Sequence, residues 1–346
     1  MRRIVQRSME YVSTPAPGEM REGERDALPA LRIGYENGEP AALLSQRDVL
    51  AVIGFGTSSS SADGFIAVGL DPLAQPAPFE VWRGHGGVTR GCDGEIHWSA
   101  DEDYTVGLLE IDEAAAGGLA AAAQQAYTAL ARWLQSTPTR HLLRIWNYLD
   151  AINDGAGDAE RYRQFCAGRA AGMDGAFDGT YPAATAIGRR DGRRVLQLYW
   201  LAARQPGMPL ENPRQTSSWR YPREYGPRAP IFARAMRAPV GEAQIYISGT
   251  AAIVGHLSHH RDDCMAQLDE TLANIDSLIA GAAGAAPALF GSRSALKAYV
   301  RHAADAPRIA ARLRERFGAE VPLLLLHGDI CRAELLLEID GVHRAQ

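Results

Sequence analysis

The chain has 346 residues, 46% of them apolar and 22% charged, and a formal net charge of −5. That length exceeds one small core and points to two domains of an ordinary globular protein. The acidic balance argues against nucleic acid as a partner of the whole chain, and no apolar run reaches the ~20 residues of a membrane span.

The basic start, Met1 to Arg7, is not followed by the apolar core of a signal peptide. Cys92, Cys166, Cys264 and Cys331 lie far apart with no CxxC pair. They read as free thiols of a cytoplasmic protein rather than a disulfide framework or a zinc site.

Residues 1–48 carry little pattern, and 15–25 read as a loop. Strands are expected at 50–53, 64–68, 79–82, 95–98 and 104–109. The segment Gly54 to Ser61 is glycine-rich, but no Gly-Lys-Ser/Thr follows, so it reads as a turn and not a phosphate loop. The spacing of Leu119, Ala123, Ala126, Leu130, Trp133 and Leu134 predicts a helix over 113–135, capped by Asp112. A strand at 142–149, a helix at 158–170 capped by Asp158, and strands at 183–187 and 195–201 complete this unit.

The same order then recurs. Strands are expected at 231–235 and 244–248. A helix begins near Asp262 with Leu268, Leu272, Ile275 and Ile279 on one stripe. A strand at 295–300 and a helix opening at Ala306-Pro307 come next, then strands at 322–326 and 333–340. Helix, strand, helix, strand, strand occurs twice, which implies an internal duplication of one α/β unit.

Between the units, Asn212 to Arg228 has no period and carries four arginines among aromatic residues, with Arg234 and Arg237 beyond. Arginine forks grip carboxylates or phosphates, and aromatics cover a flat ring or stack on a base. The segment therefore suits a small dianion, a single nucleic-acid strand, or a solvated linker. His256, His259 and His260 lack companion ligands and read as surface residues ahead of a cap at Asp262 or Asp263. Gly249-Thr250 either ends a strand or lets a ligand approach the backbone. In the last strand, Leu335, Leu337 and Ile339 share one face, and Glu334, Leu336, Glu338 and Asp340 share the other. Glu338 is either a solvated carboxylate or a proton donor in a half-buried pocket.

From about Arg228 to Arg344 the chain resembles the RidA-like (YjgF) family, through Ile245 to Ala251, Glu270 to Ile275 and Leu337 to Asp340. The resemblance implies two tandem α/β (α+β) domains, 1–205 and 206–346, each a mixed sheet with helices on one face. The imine deaminases of that family have an arginine where this chain has Pro322-Leu323-Leu324, which speaks against imine deamination.

The whole chain is similar to the two-domain chorismatases. The likeness rests on Arg144 to Tyr148, Glu160 to Cys166, Pro182 to Gly188, the 212–233 segment, Ile247 to Ala251 and Cys331 to Glu338. It implies cleavage of chorismate to pyruvate and a ring product, without metal or organic cofactor. It also places the catalytic residues at Glu338, the acid, and Cys331, a small pocket position, and substrate contacts on Arg163, Tyr148, Tyr221, Gly249 and Thr250. Cys331 and Gly249 look like the type that forms 3-hydroxybenzoate, whereas the hydrolytic type tends to alanine. Hydrolysis to a dihydroxycyclohexadiene carboxylate, formation of 4-hydroxybenzoate, and a non-catalytic RNA- or metabolite-binding module are the alternatives. Two fused units suggest a monomer in place of the family's trimer.

Overall fold

Strands form where β-branched, leucine-rich and aromatic runs fall between glycine, proline and aspartate punctuation. The structure, a computed structural model, describes residues 29–344 apart from 57–59, 63, 75–77, 175, 177–179, 241–243 and 284–289. The loop expected at 15–25 lies outside the described residues, as does the middle of the turn expected at 54–61.

Three sheets build the molecule. The first joins β1 (Arg32–Glu36), β2 (Val49–Phe55), β3 (Phe65–Val68) and β4 (Phe79–Arg83) in the order β1-β4-β2-β3, with helix α1 (Pro40–Leu44) beside it. The second contains β5 (Thr89–Asp93), β6 (Ile96–Ala100), β7 (Tyr104–Asp112), β8 (His141–Asp150), β9 (Ala183–Arg189) and β10 (Val195–Ala203). The third contains β11 (Met208–Leu210), β12 (Ala235–Arg237), β13 (Gln244–Thr250), β16 (Ala295–Val300), β17 (Leu323–His327) and β19 (Leu337–Arg344). A small hairpin, β14 (Ile253–Val254) and β15 (Leu257–Ser258), follows β13, and β18 (Asp329–Ile330) crosses over to extend the second sheet at β9.

The second and third sheets follow one plan. Their orders are β5-β6-β7-β10-β8-β9 and β11-β12-β13-β19-β16-β17, so the last strand of each slots between its third and fourth. In each, one pair is parallel, β8 with β9 and β16 with β17. The registers also correspond, for Tyr148 lies opposite Gln197 and Tyr299 opposite Glu338. This is the duplication that the repeated element order implies.

Helices α3 (Leu119–Ser136) and α4 (Arg161–Gly172) cover one face of the second sheet, while α5 (Cys264–Ala283) and α6 (Ala306–Phe317) cover one face of the third. The opposite faces meet those of the first sheet in a shared core that includes Leu50, Trp82, Trp146, Tyr199, Tyr246 and Tyr299. No described helix is long and apolar enough to cross a membrane.

Several expected boundaries shift. The helix expected over 113–135 is two, α2 (Glu113–Ala116) and α3, because Gly117 and Gly118 adopt φ of +91° and +112°. Asp112 does cap α2, accepting from the Ala115 amide. Asp158 caps nothing. It lies in a 3₁₀ turn before α4 and pairs with Arg223. The strand expected at 231–235 shrinks to β12, because residues 232–234 bond Ser218, Pro182 and Ser248 as the chain crosses between the units. Asp263, not Asp262, caps α5 through the Met265 and Ala266 amides.

The last strand starts at Leu337 rather than Ala333. Arg301 takes the Leu335 carbonyl and Gln267 takes the Leu336 amide, so neither residue is in the ladder. Leu335 consequently joins the shared core, away from Leu337 and Ile339 on the helix-covered face.

Candidate active site

β19 carries alternating side chains, so Glu338 and Asp340 both point away from the helices and toward the second sheet. Both are buried, Glu338 at 4% exposure and Asp340 at 0%. Glu338 ends at the floor of a pocket of about 640 Å³, open mouth included, between the two units. Glu160, Tyr162 and Arg163 of α4 and the residue before it form one wall; Tyr221, Tyr225, Phe232 and Arg234 form another. Gly249, Cys331 and Arg332 complete the surroundings of the acid.

Burial, and secondarily the charge of Asp340, push the Glu338 carboxyl up to about 8, against the lowering pull of Arg144 and Arg234. At neutral pH the group is therefore mainly a neutral acid, able to give a proton. Burial first and Glu338 second raise the Cys331 thiol above its ordinary value, so it is a thiol and not a thiolate.

Three guanidinium groups face the same space. Arg163 bonds Glu160 through Nε at 2.9 Å. Arg234 donates to the Thr216 carbonyl and to the Tyr221 hydroxyl, and its Nε is buried without a partner. Arg332 donates to the His256 carbonyl and to Ser258 Oγ, and its guanidinium lies 4.0 Å from the Tyr225 ring centroid. Hydrogen bonds hold these cations in place, with aromatic rings beside Arg234 and Arg332, and their remaining donors suit carboxylates.

Behind Glu338 lies a buried polar network. Asp340 Oδ2 accepts from Arg144 Nη2 (3.1 Å), Trp146 Nε1 (2.9 Å), Thr185 Oγ1 (2.8 Å) and the Tyr299 hydroxyl (3.0 Å). Lys297 stands 3.8 Å from Asp340 Oδ1 and pairs with Glu80 of the first sheet at 2.7 Å. Two anions and two cations thus share a site closed to water.

Of the residues expected from sequence, Glu338, Cys331, Arg163, Tyr221 and Gly249 line one pocket. Tyr148 does not. It is fully buried, its hydroxyl 3.2 Å from that of Tyr299 and 3.4 Å from that of Tyr199, and it meets the site only through Tyr299 and Asp340. Thr250 also lies outside the lining, because its hydroxyl turns back to the Ser248 carbonyl. Within the arginine segment, Arg214 is tied to Glu270 and Asn274 and Arg223 to Asp158, so both brace the fold. His256 bonds Tyr225 and His260 bonds Glu270. Sequence reasoning missed Arg332 and Tyr162. Each adjoins a matched motif residue, Cys331 and Arg163, and that adjacency was the available signal.

The chain is similar to known proteins over most of its length. Residues 80–202 match the family described as chorismatase FkbO/Hyg5-like, N-terminal. A 3-hydroxybenzoate synthase of Streptomyces hygroscopicus is 35% identical over 294 residues, 78% of this chain and 82% of that protein. A chorismatase of Streptomyces rapamycinicus is 35% identical over 275 residues, 76% and 81% of the two chains. A crystal structure of a chorismatase superposes with a TM-score of 0.80 at 33% identity, covering 92% of this chain and 98% of the other.

Proposed function

The chain belongs to the chorismatase family, and on that premise we propose that it cleaves chorismate to pyruvate and 3-hydroxybenzoate, with Glu338 as the acid. The observation that carries this reading is a buried carboxyl, held up at about 8, on the floor of a pocket ringed by Arg163, Arg234 and Arg332. Chorismate has two carboxylates and an enolpyruvyl ether. The guanidinium groups suit the first and a neutral acid suits the second.

In this reading Glu338 protonates the enolpyruvyl methylene carbon, leaving an electron-poor ether carbon. The neighbouring ring hydroxyl attacks the ring carbon that bears the ether. The bond from that carbon to the ether oxygen breaks, and its electron pair completes the pyruvate carbonyl. The hydroxyl proton released on forming the epoxide-like ring returns to Glu338. Opening of that ring, with loss of a ring proton and protonation of the oxygen, gives the phenol. Water must be kept from the ether carbon, a task that suits Tyr162, Phe232, Ala251 and Ile253 in the lining. Arg163, Tyr221 and Gly249 are read as substrate contacts and Cys331 as a group beside the reacting ring.

We read a single chain as the working unit, since the inner faces of its three sheets already cover one another. Incubating purified protein with chorismate, following pyruvate and separating the products by chromatography tests the function. Pyruvate with 3-hydroxybenzoate supports it. Diol or 4-hydroxybenzoate would reassign the product, and absence of pyruvate would end the reading.

A further inference from the structure

We propose that Arg301 is a positioning residue for the reaction: its guanidinium clamps the backbone on both sides of Cys331, and so sets where Cys331 and Arg332 stand in the pocket. The inference rests on the reading of that pocket as the chorismate site.

Arg301 directly follows β16, is buried at 9% exposure, and does not itself line the pocket. Every nitrogen of its guanidinium is engaged. Nε donates to the Leu335 carbonyl at 2.8 Å and Nη1 to Asp329 Oδ1 at 2.6 Å. Nη2 lies 3.1 Å from the Ile330 carbonyl, 3.0 Å from the Arg332 carbonyl and 3.2 Å from Asn153 Oδ1. The carbonyls before and after Cys331 thus turn to one nitrogen. The Arg301 backbone amide adds a bond to the Leu336 carbonyl at 2.9 Å. What the clamped segment presents to the pocket is the side chains of Cys331 and Arg332, which line it together with Glu338.

The clamp stands in for a ladder. Residues 331–336 lie between β18 and β19 and belong to neither, so their buried carbonyls need partners from elsewhere. Gln267 serves the end nearer β19, through the Glu334 carbonyl and the Leu336 amide. At the Cys331 end, Asn153 Nδ2 also donates to the Ile330 carbonyl, at 3.1 Å. Asn153 lies in the turn after β8, so the hold on this segment draws on both units. Only a planar fork can serve a carboxylate and several carbonyls spread around one centre. A lysine would keep the charge opposite Asp329 and lose the fork.

Arg301→Lys is the test, with steady-state kinetics on chorismate and chromatography of the ring products. The expected result is a KM raised about 10-fold or more as Arg332 shifts, because misplacement by about 1 Å costs on the order of 10²-fold. The share of the parent's main ring product should fall as Cys331 shifts with it. A residue that merely braces the fold would lower the melting temperature and kcat through lost active protein, and leave KM and product share alone. Either KM or product share at the parent's value overturns the proposal. Should R301K fail to fold, Asn153→Ala removes one partner of Nη2 and one donor to Ile330. It is expected to move both readouts the same way by a smaller factor, and parental values there refute the clamp. If the wild-type protein releases no pyruvate from chorismate, the assigned reaction fails, and alkylation by iodoacetamide, followed by mass spectrometry, decides this proposal instead. Cys331 should then react several-fold faster in the variant while the buried Cys264 keeps its rate. A Cys331 rate that is unchanged, or that rises only in step with Cys264, overturns it.

Discussion

Gly249 and Glu338 approach so closely across β13 and β19 that a methyl group on residue 249 would overlap the Glu338 Oε1 atom. The contact is with the far end of a side chain, so Gly249→Ala is expected to fold and to push the carboxyl aside. Displacement of an acid by about 1 Å costs on the order of 10²-fold in rate. The expected outcome is a loss of that size in kcat/KM for pyruvate release, with a circular-dichroism spectrum like that of the parent.

Glu338→Gln keeps the volume of the side chain and removes the proposed proton donor. A fall in kcat of about 10²–10⁴-fold is expected. Turnover within a few-fold of the parent would place the acid elsewhere.

The raised Glu338 carboxyl also gives a stability signature. The unfolded group titrates near its ordinary value of 4.5 and the folded group near 8. Between those two values the folded state alone holds the proton, so stability is full below the lower one and declines as pH rises to the upper one, by about 1.4 kcal/mol per unit at most. Urea unfolding of the parent and of Glu338→Gln across pH 4.5 to 8 should show this slope in the parent and a flatter curve in the variant. Activity should fall over the same alkaline limb as the acid loses its proton.

Arg332 tests the grip on the substrate. Its guanidinium is stacked on Tyr225 and tied to His256 and Ser258. Arg332→Ala should raise KM about 10- to 100-fold, the value of a charged hydrogen bond. Arg332→Lys should not restore it, because an ammonium neither stacks nor forks in this way. Steady-state kinetics on both variants measures this.

Lys297 and Glu80 form a buried ion pair, the two side chains 3% and 5% exposed. Lys297→Met leaves Glu80 without its partner, and a loss of about 3–5 kcal/mol is expected. Chemical denaturation at neutral pH checks it.

Much of this was legible in the chain itself. The repeated order of helices and strands follows from hydrophobic period, and the alternation in the last strand put Glu338 and Asp340 on the face that proves to line the site. What escaped depends on distant partners. The strand start was misplaced because Arg301 and Gln267 claim the backbone at Leu335 and Leu336, a tertiary competition that no local pattern records. β18 is two residues long and pairs with the other unit, so no period announces it. Tyr148 sits in a well-matched motif, but its direction is set by Tyr199 and Tyr299 and takes it into the core. Arg332 becomes a site residue only once Tyr225 folds over it. The reach of the first sheet into the polar network, through Glu80, starts from a strand that was visible, but its neighbour β1 lies in the 1–48 stretch that carried little pattern.

The corresponding registers of the two units set different side chains at equivalent places. Where one half places Glu338 opposite Tyr299, the other places Gln197 opposite Tyr148, an amide that bonds Glu110 and the Ala67 carbonyl. An assembly of identical copies must repeat any mutation at every interface. Within one chain the two positions are free to differ, so a buried acid stands at one and a hydrogen-bonded amide at the other, while side chains of both halves wall the same pocket.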